Sequence, residues 1–149
     1  MAECDAMVRD RLRHGLRHET RYLNPMRTIL VTGGRTYADA DQVAEVLSTI
    51  MARAGTMRIL TGGATGADRL AAEWARSKMV AVVEFPVSLG EWRAHGLAAG
   101  PIRNARMVAM RPDVVVAFPG GAGTADCVRQ ARAAGIPVVT VQTPGRPPK

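Results

Sequence analysis

The fold of this chain is decided by an apolar run that ends in glycines, Val114-Val115-Val116-Ala117-Phe118-Pro119-Gly120-Gly121-Ala122-Gly123-Thr124. Residues 125–134 follow with a helix-like pattern. A strand that leads through glycines into a helix is typical of phosphate binding, because glycines let the backbone approach an anion and the start of the helix offers free N–H groups. The hydroxyl of Thr124 adds a donor. The alternative is a tight turn whose glycines only permit helix–sheet packing.

Two more strand-to-helix turns are rich in glycine. The strand-like residues 28–32 end at Gly33 and Gly34, and residues 57–61 end at the run Gly62-Gly63-Ala64-Thr65-Gly66. Between them, Asp39 is a capping residue for a helix whose apolar side chains repeat at helical spacing as far as Gly55.

Three further strands are predicted over residues 80–85, 113–118 and 136–141. A second helix begins at Ala67 and buries Trp74, residues 87–100 are predicted to be irregular, and a third helix runs from Pro101 to about Met110. Strands that alternate with helices predict an α/β fold, with about five parallel strands in the order 3-2-1-4-5 and helices on both faces. In that order the glycine turns converge on one crevice at the edge of the sheet where α/β proteins bind ligands.

The composition favours a single domain without a membrane span. The chain has 149 residues, 47% of them apolar, and a net charge of +7. No apolar run reaches the ~18 residues of a spanning helix, and no secretory signal is readable. The positive charge favours anionic ligands, but no block of five like charges indicates a nucleic-acid-binding tail. The two cysteines, Cys4 and Cys127, are far apart, which predicts a cytoplasmic protein without a disulfide or a zinc site.

Three segments are predicted along the chain. Residues 1–25 are an arginine-rich N-terminal extension that forms a short helix or a disordered arm, residues 26–143 form the domain, and residues 144–149 form a flexible tail. His14 and His18 are one helical turn apart. Two ligands are too few for a metal site, so neither a metal nor a cofactor is expected.

Four motifs in series point to a known family. They are Thr32-Gly33-Gly34-Arg35, Gly62-Gly63-Ala64-Thr65-Gly66-Ala67-Asp68, Ala98-Ala99-Gly100-Pro101-Ile102-Arg103-Asn104 and Phe118-Pro119-Gly120-Gly121-Ala122-Gly123-Thr124. Together they resemble the YspA, cpYpsA-related branch of the SLOG superfamily over roughly residues 27–141. The resemblance implies a Rossmann-like three-layer sandwich, a nucleotide or nucleotide-derived ligand, and a homodimer or higher homo-oligomer.

The predicted ligand-binding residues share one edge of the sheet. They are Gly33, Gly34, Arg35, Gly62, Gly63, Gly66, Asp68, Arg103, Asn104, Pro119, Gly120, Gly121, Gly123 and Thr124. Residues 120–124 are predicted to hold the phosphate, and Arg35 either clamps two of its oxygens or is an exposed loop arginine. Asp68 either accepts hydrogen bonds from sugar hydroxyls or stabilises the start of its helix. Trp92, in the segment with His95, either stacks on a base or anchors that segment to the core.

The enzymatic relatives of this branch are the LOG phosphoribohydrolases, which cleave the base–ribose bond of nucleoside 5′-monophosphates. Their signature reads P-G-G-x-G-T-x-x-E; residues 119–124 match it, but Cys127 stands at the position of the final glutamate. The resemblance places their catalytic arginine at or near Arg103. Because the oxocarbenium-like transition state is stabilised by a carboxylate, Asp126 or Glu91 would have to supply that charge.

These observations favour binding over turnover. The leading hypothesis is a protein that binds a nucleotide or nucleotide-derived ligand for sensing or sequestration. The first alternative is a nucleotide N-glycosidase, in which Arg103 orients the phosphoribosyl group and Asp126 or Glu91 is the carboxylate. The second alternative is a DNA-binding protein, by analogy with the DNA-processing branch of the same superfamily; it predicts a steep dependence of binding on salt.

Overall fold

The computed structural model describes residues 26–143. Its strands are β1 (Arg27–Thr32), β2 (Met57–Thr61), β3 (Ala81–Glu84), β4 (Val114–Ala117) and β5 (Val138–Thr140). Its α-helices are α1 (Ala40–Ala54), α2 (Ala67–Ser77), α3 (Leu89–His95), α4 (Ala99–Ala109) and α5 (Ala122–Ala133), and a 3₁₀ turn spans Gly96–Ala98. The predicted extension 1–25 with its two histidines, Cys4 and the predicted tail 144–149 lie outside the described residues.

The five strands form one parallel sheet in the order β3-β2-β1-β4-β5, so the predicted α/β fold and strand order are confirmed. The register pairs Ile29 of β1 with Ile59 of β2 on one side and with Val114 of β4 on the other. From β1 the chain proceeds to β2 and β3 on one side, and it then crosses to β4 on the other side of β1. Strands β1 and β4 therefore flank the point where the winding direction changes. Ligand crevices of α/β proteins lie there.

Helices cover both faces of the sheet, as predicted. Along β1, Ile29 and Val31 pack with α1 and α2, and the intervening Leu30 packs with α4 and α5. This alternation follows from the two-residue period of a strand, and burial on both faces explains why the central strands read as continuous apolar runs. Trp74 of α2 is buried in the first of these two cores, which confirms its predicted place.

The segment 87–100 is not irregular, and that prediction is wrong. It holds the short helix α3, the 3₁₀ turn and the beginning of α4, which starts at Ala99 rather than at Pro101. The side chain of Ser88 caps α3 by accepting a hydrogen bond from the Glu91 N–H at 3.1 Å. Among the described residues, none of those in α3 is buried. The helix therefore lacks the apolar stripe by which a helix is recognised in a sequence.

The described residues lack two kinds of feature. No helix within residues 26–143 is long and apolar enough to cross a membrane. In the same part of the chain, no group of three or more histidine, cysteine, aspartate or glutamate side chains could hold a metal ion.

Candidate functional site

The three glycine-rich turns meet at the carboxyl ends of β1, β2 and β4. The main chain joins them: the Gly34 N–H donates to the Pro119 carbonyl at 2.9 Å, and the Ala67 N–H donates to the Gly34 carbonyl at 3.1 Å. The turn after β1 is therefore bonded to both of the others. Together with α3 and α4 they enclose a cavity of about 880 Å³, which is within the usual range for small-molecule sites.

The glycines of these turns divide into two groups. A Cβ atom on Gly66 would lie 2.1 Å from the Gly34 carbonyl oxygen, and one on Gly120 would lie 2.2 Å from Thr124 Oγ1, so both are needed for close packing. At Gly121 and Gly123, by contrast, a Cβ atom would meet no described atom within 4 Å apart from those of the adjacent residues and of the glycine's own helix backbone. Gly121 is the N-cap of α5, and both residues face open space in the cavity.

Most of the predicted ligand-binding residues line this cavity. They are Gly33, Gly34, Arg35, Asp68, Arg103, Asn104, Pro119, Gly120, Gly121, Gly123 and Thr124, and Trp92 and Asp126 line it too. Gly62, Gly63 and Gly66 are not among the lining residues, and neither is Glu91. The turn after β2 therefore contributes to the cavity through Ala64 and Asp68 rather than through its glycines.

Gly62 makes room for the Arg103 guanidinium. A Cβ atom on Gly62 would lie 2.1 Å from Arg103 Nη1 and 3.0 Å from Asp68 Oδ2. With only hydrogen at that position, Arg103 Nη1 donates to the Gly62 carbonyl at 2.8 Å, and Nε donates to Asn104 Oδ1 at 3.0 Å. The guanidinium is thus fixed between α4 and the end of β2, and Asp68 lies close beside it.

Asp68 is a buried carboxylate in the wall of the cavity. It is 5% exposed, and its Oδ2 accepts a hydrogen bond from the Ala64 N–H at 3.2 Å. Burial raises its pKa from 3.8 to about 6, although the N–H of Ala64 and the charge of Arg103 act in the opposite direction; the charge of Glu84 adds to the rise. A carboxyl group of this kind can exchange protons near neutral pH.

Asn104 and Asp126 connect α4 to the first turns of α5. Asn104 is buried, and its Nδ2 donates to the Gly123 carbonyl at 3.2 Å and to Asp126 Oδ2 at 3.0 Å. Asp126 also accepts from Gln130 Nε2 at 2.8 Å and from Arg129. These bonds fix the start of α5. They therefore also hold residues 119–124, the candidate phosphate-binding segment, which we call the 119–124 loop.

The two remaining candidates lie on α3. Glu91 pairs with Arg106 of α4 at 2.8 Å, and the Arg106 hydrogen bond is the main reason that its pKa is lowered. Trp92 is 36% exposed, and the Cζ atom of Arg35 lies 6.0 Å from the centroid of its ring. Trp92 stands at the mouth of the cavity and does not anchor α3 in the core.

Comparison with known proteins places the chain in a family. A family model described as "YspA, cpYpsA-related SLOG family" matches residues 27–95. The Gene 61 protein of Mycobacterium phage D29 is 38% identical over 119 residues, which cover 76% of this chain and 95% of the phage protein. The chain belongs to the YspA, cpYpsA-related SLOG family.

A solved structure resembles this SLOG chain more distantly. It is the C-terminal domain of a hydrogenase from Pyrococcus furiosus, with a TM-score of 0.46 and 15% sequence identity. The similarity covers 78% of this chain and 95% of that domain.

Cys127 marks a difference between this SLOG chain and the LOG signature. The thiol is fully buried, and burial raises its pKa to about 11, although Thr32 donates a hydrogen bond to it and Arg103 is near. It is therefore neutral at physiological pH and cannot replace the charge of a glutamate. Within residues 26–143, the acidic residues that line the cavity of this SLOG chain are Asp68 and Asp126.

Some lining residues of this SLOG chain are absent from the sequence-based prediction. They include Thr32, Tyr37 and Leu97. Thr32 ends β1, so the rule that ligands lie at the carboxyl ends of switch-point strands could have identified it. Tyr37 packs on Phe118, with 5.4 Å between ring centroids. Leu97 gave no signal, because the short helical segment that carries it has no periodicity.

Proposed function

We propose that this protein binds a nucleotide or nucleotide-derived ligand for sensing or sequestration, with a phosphate group on the 119–124 loop. One observation carries the proposal. The first turn of α5 opens into the cavity at Gly121 and Gly123, two positions where no described side chain or backbone atom occupies the space above the α-carbon.

The physical basis is the start of a helix. The N–H groups of the first turn of α5 have no partner within the helix, and the aligned peptide dipoles place positive potential there. Arg35 also lines the cavity and can donate two hydrogen bonds to a phosphate. Membership of the SLOG family supports a nucleotide-related ligand.

A pair of substitutions at Gly121 tests the phosphate position. Aspartate and serine are both favourable N-cap residues, and a Cβ atom at this position meets no described atom, so both variants should fold. Only aspartate adds a negative charge beside the phosphate. We expect nucleoside monophosphates to raise the melting temperature of the wild type and of Gly121→Ser, and the affinity of Gly121→Asp to fall by about tenfold or more.

Isothermal titration of the three proteins at one ionic strength measures this difference. Wild-type affinity in both Gly121→Asp and Gly121→Ser would show that the phosphate is held elsewhere. Loss of affinity in both variants, with unchanged melting temperatures, would point to the bulk of the side chain rather than to its charge.

A second function, nucleotide N-glycosidase, is favoured by Asp68. Its carboxyl group lines the cavity beside Arg103, and its pKa of about 6 allows it to give a proton to a departing base and then take one from water. Asp68 would then supply the carboxylate that the sequence assigned to Asp126 or Glu91. Chromatography of nucleoside monophosphates incubated with the protein should detect free base, and Asp68→Asn should reduce its release by at least about a hundredfold.

Absence of free base after long incubation, with binding intact, would leave sensing or sequestration as the function. Formation of a homodimer, which the resemblance implies, and binding to DNA, the second alternative, stay predictions.

A further inference from the structure

The mouth of the cavity is formed by an arginine that lies over a tryptophan. Arg35 comes from the turn after β1 and Trp92 from α3, and the Cζ atom of Arg35 lies 6.0 Å from the ring centroid. A guanidinium at this distance from an aromatic ring is attracted by the electrons of its face. Leu97, 94% exposed, lines the same mouth. This end of the cavity therefore offers aromatic and apolar surface, whereas the 119–124 loop offers N–H groups.

The exposure of Trp92 is not explained by the packing of α3. Polar contacts fix this helix: the Ser88 cap at its start and the ion pair of Glu91 with Arg106 at 2.8 Å. Trp92 is not needed as a core anchor, since no residue of α3 is buried among the described residues. A partly exposed aromatic ring that lines a cavity is a typical contact surface for a small-molecule ligand.

The backbone of Arg35 is held in place, whereas its side chain is free to change conformation. Its backbone is fixed, because its carbonyl accepts a hydrogen bond from Thr65 Oγ1 at 3.1 Å and lies against the bare α-carbon of Gly66. Within residues 26–143 the Arg35 side chain makes no hydrogen bond or ion pair, and its guanidinium lies over the Trp92 ring. Arg35 can therefore turn toward a bound phosphate without moving its turn.

We propose that the face of Trp92 receives the flat base of a nucleotide, and that the base displaces Arg35, whose guanidinium then contacts the phosphate. This inference rests on the proposed function and adds to it the residue that recognises the base. The site selects compounds that carry both an aromatic base and a phosphate, and sugar phosphates without a base bind weakly. Stacking of one base on an aromatic side chain changes affinity by about five- to 150-fold.

The tryptophan fluorescence of the protein makes the inference testable. The chain has two tryptophans, and Trp74 is buried with its Nε1 donating to Ser48 Oγ at 3.3 Å. A ligand that stacks on Trp92 should therefore change the signal of one known residue. The probes are AMP, GMP, CMP, UMP, ribose 5-phosphate and inorganic phosphate, with affinities measured by calorimetry.

Three variants separate stacking from folding. Trp92→Ala removes the ring, and Trp92→Phe keeps an aromatic face. Leu89→Ala removes a side chain that is 65% exposed on the same helix but does not line the cavity. We expect at least one nucleoside monophosphate to bind at least about fivefold more tightly than ribose 5-phosphate and to quench the fluorescence. Trp92→Ala should abolish this preference, and Trp92→Phe and Leu89→Ala should retain it.

The results that would overturn the inference are distinct from those that would overturn the proposed function. If ribose 5-phosphate binds as tightly as every nucleoside monophosphate, or if Trp92→Ala keeps the preference, the base does not stack on Trp92, although phosphate binding stands. If the wild type binds none of the six probes, the proposed function fails, and the assignment of Trp92 fails with it.

Discussion

Asp68→Asn is expected to make the protein more stable at neutral pH. The wild-type carboxyl group is buried, and its pKa rises from 3.8 to about 6 on folding. One pKa unit corresponds to about 1.4 kcal/mol, so the ionised carboxylate destabilises the folded state by about 3 kcal/mol at pH 7.5. Asparagine resembles the protonated side chain in size and can still accept the hydrogen bond of the Ala64 N–H. The variant avoids the penalty of ionisation.

The stability gained by Asp68→Asn relative to the wild type should increase with pH. Because the folded-state pKa lies above the unfolded-state value, the folded protein binds more protons between about pH 4 and pH 6. Wild-type stability is therefore highest relative to Asp68→Asn below pH 4 and falls as the pH rises through 6. Urea unfolding of both proteins from pH 4 to pH 8 measures the difference, which should grow to about 3 kcal/mol and then stay constant above pH 7.

Asp41→Asn is a matched control for this prediction. Asp41 is the second residue of α1 and Asp68 is the second residue of α2, but Asp41 is exposed. Its replacement should change the unfolding free energy by less than about 1 kcal/mol, in the destabilising direction, because a carboxylate near a helix start is favourable. If Asp68→Asn behaves like Asp41→Asn at every pH, burial does not act on the Asp68 carboxyl group as described.

Gly66→Ala is expected to be the most damaging small substitution in the glycine turns. The new Cβ atom would lie 2.1 Å from the Gly34 carbonyl oxygen and 2.6 Å from the backbone carbonyl of Arg35. These are backbone atoms, and the Gly34 carbonyl also accepts the hydrogen bond of Ala67 that joins the turns after β1 and β2. The turns would have to separate, because no side chain can rotate to relieve the collision.

Gly55→Ala isolates the effect of the collision from that of the backbone conformation. Gly55 has φ 73° and ψ −121°, close to the φ 76° and ψ −129° of Gly66. No described atom lies within 4 Å of a Cβ atom on Gly55. Both variants carry the strain of a left-handed conformation, about 1–3 kcal/mol, but only Gly66→Ala adds overpacking of about 1–3 kcal/mol or more.

Chemical unfolding should therefore show a larger loss of free energy for Gly66→Ala than for Gly55→Ala. We also expect only Gly66→Ala to lower the affinity for nucleoside monophosphates, since Gly55 is remote from the cavity. Equal losses of stability in the two variants would contradict the close contact between the turns.

The sequence predicted the sheet and the convergence of the glycine turns because both follow from local patterns. Each of these patterns is visible within a few residues: continuous apolar runs in strands buried on both faces, apolar residues at helical spacing, and glycines at the carboxyl ends of β1, β2 and β4. Helix α3 was not predictable in the same way, because polar contacts fix it and no apolar stripe reveals it. Glu91 is an example: its partner Arg106 lies on another helix, and nothing in the local sequence indicates that pair.

The roles within the glycine turns were also beyond a reading of the sequence. Gly62, Gly121 and Gly66 look alike as letters in glycine-rich runs. The structure shows that Gly62 accommodates Arg103, Gly66 lies against the next turn, and Gly121 faces open space. These differences depend on which atoms from distant parts of the chain surround each α-carbon, so they appear only once the three turns are in place.

The cavity is held together by main-chain hydrogen bonds between the turns, whereas the residues at its rim contribute side chains. Gly34, Pro119 and Ala67 hold the turns together through backbone N–H and carbonyl groups, which every variant of the rim retains. The rim consists of the side chains of Arg35, Trp92 and Leu97, which make no such bonds between turns within residues 26–143. Selectivity can therefore be redesigned, or diverge among relatives, by exchanging rim residues over an unchanged frame.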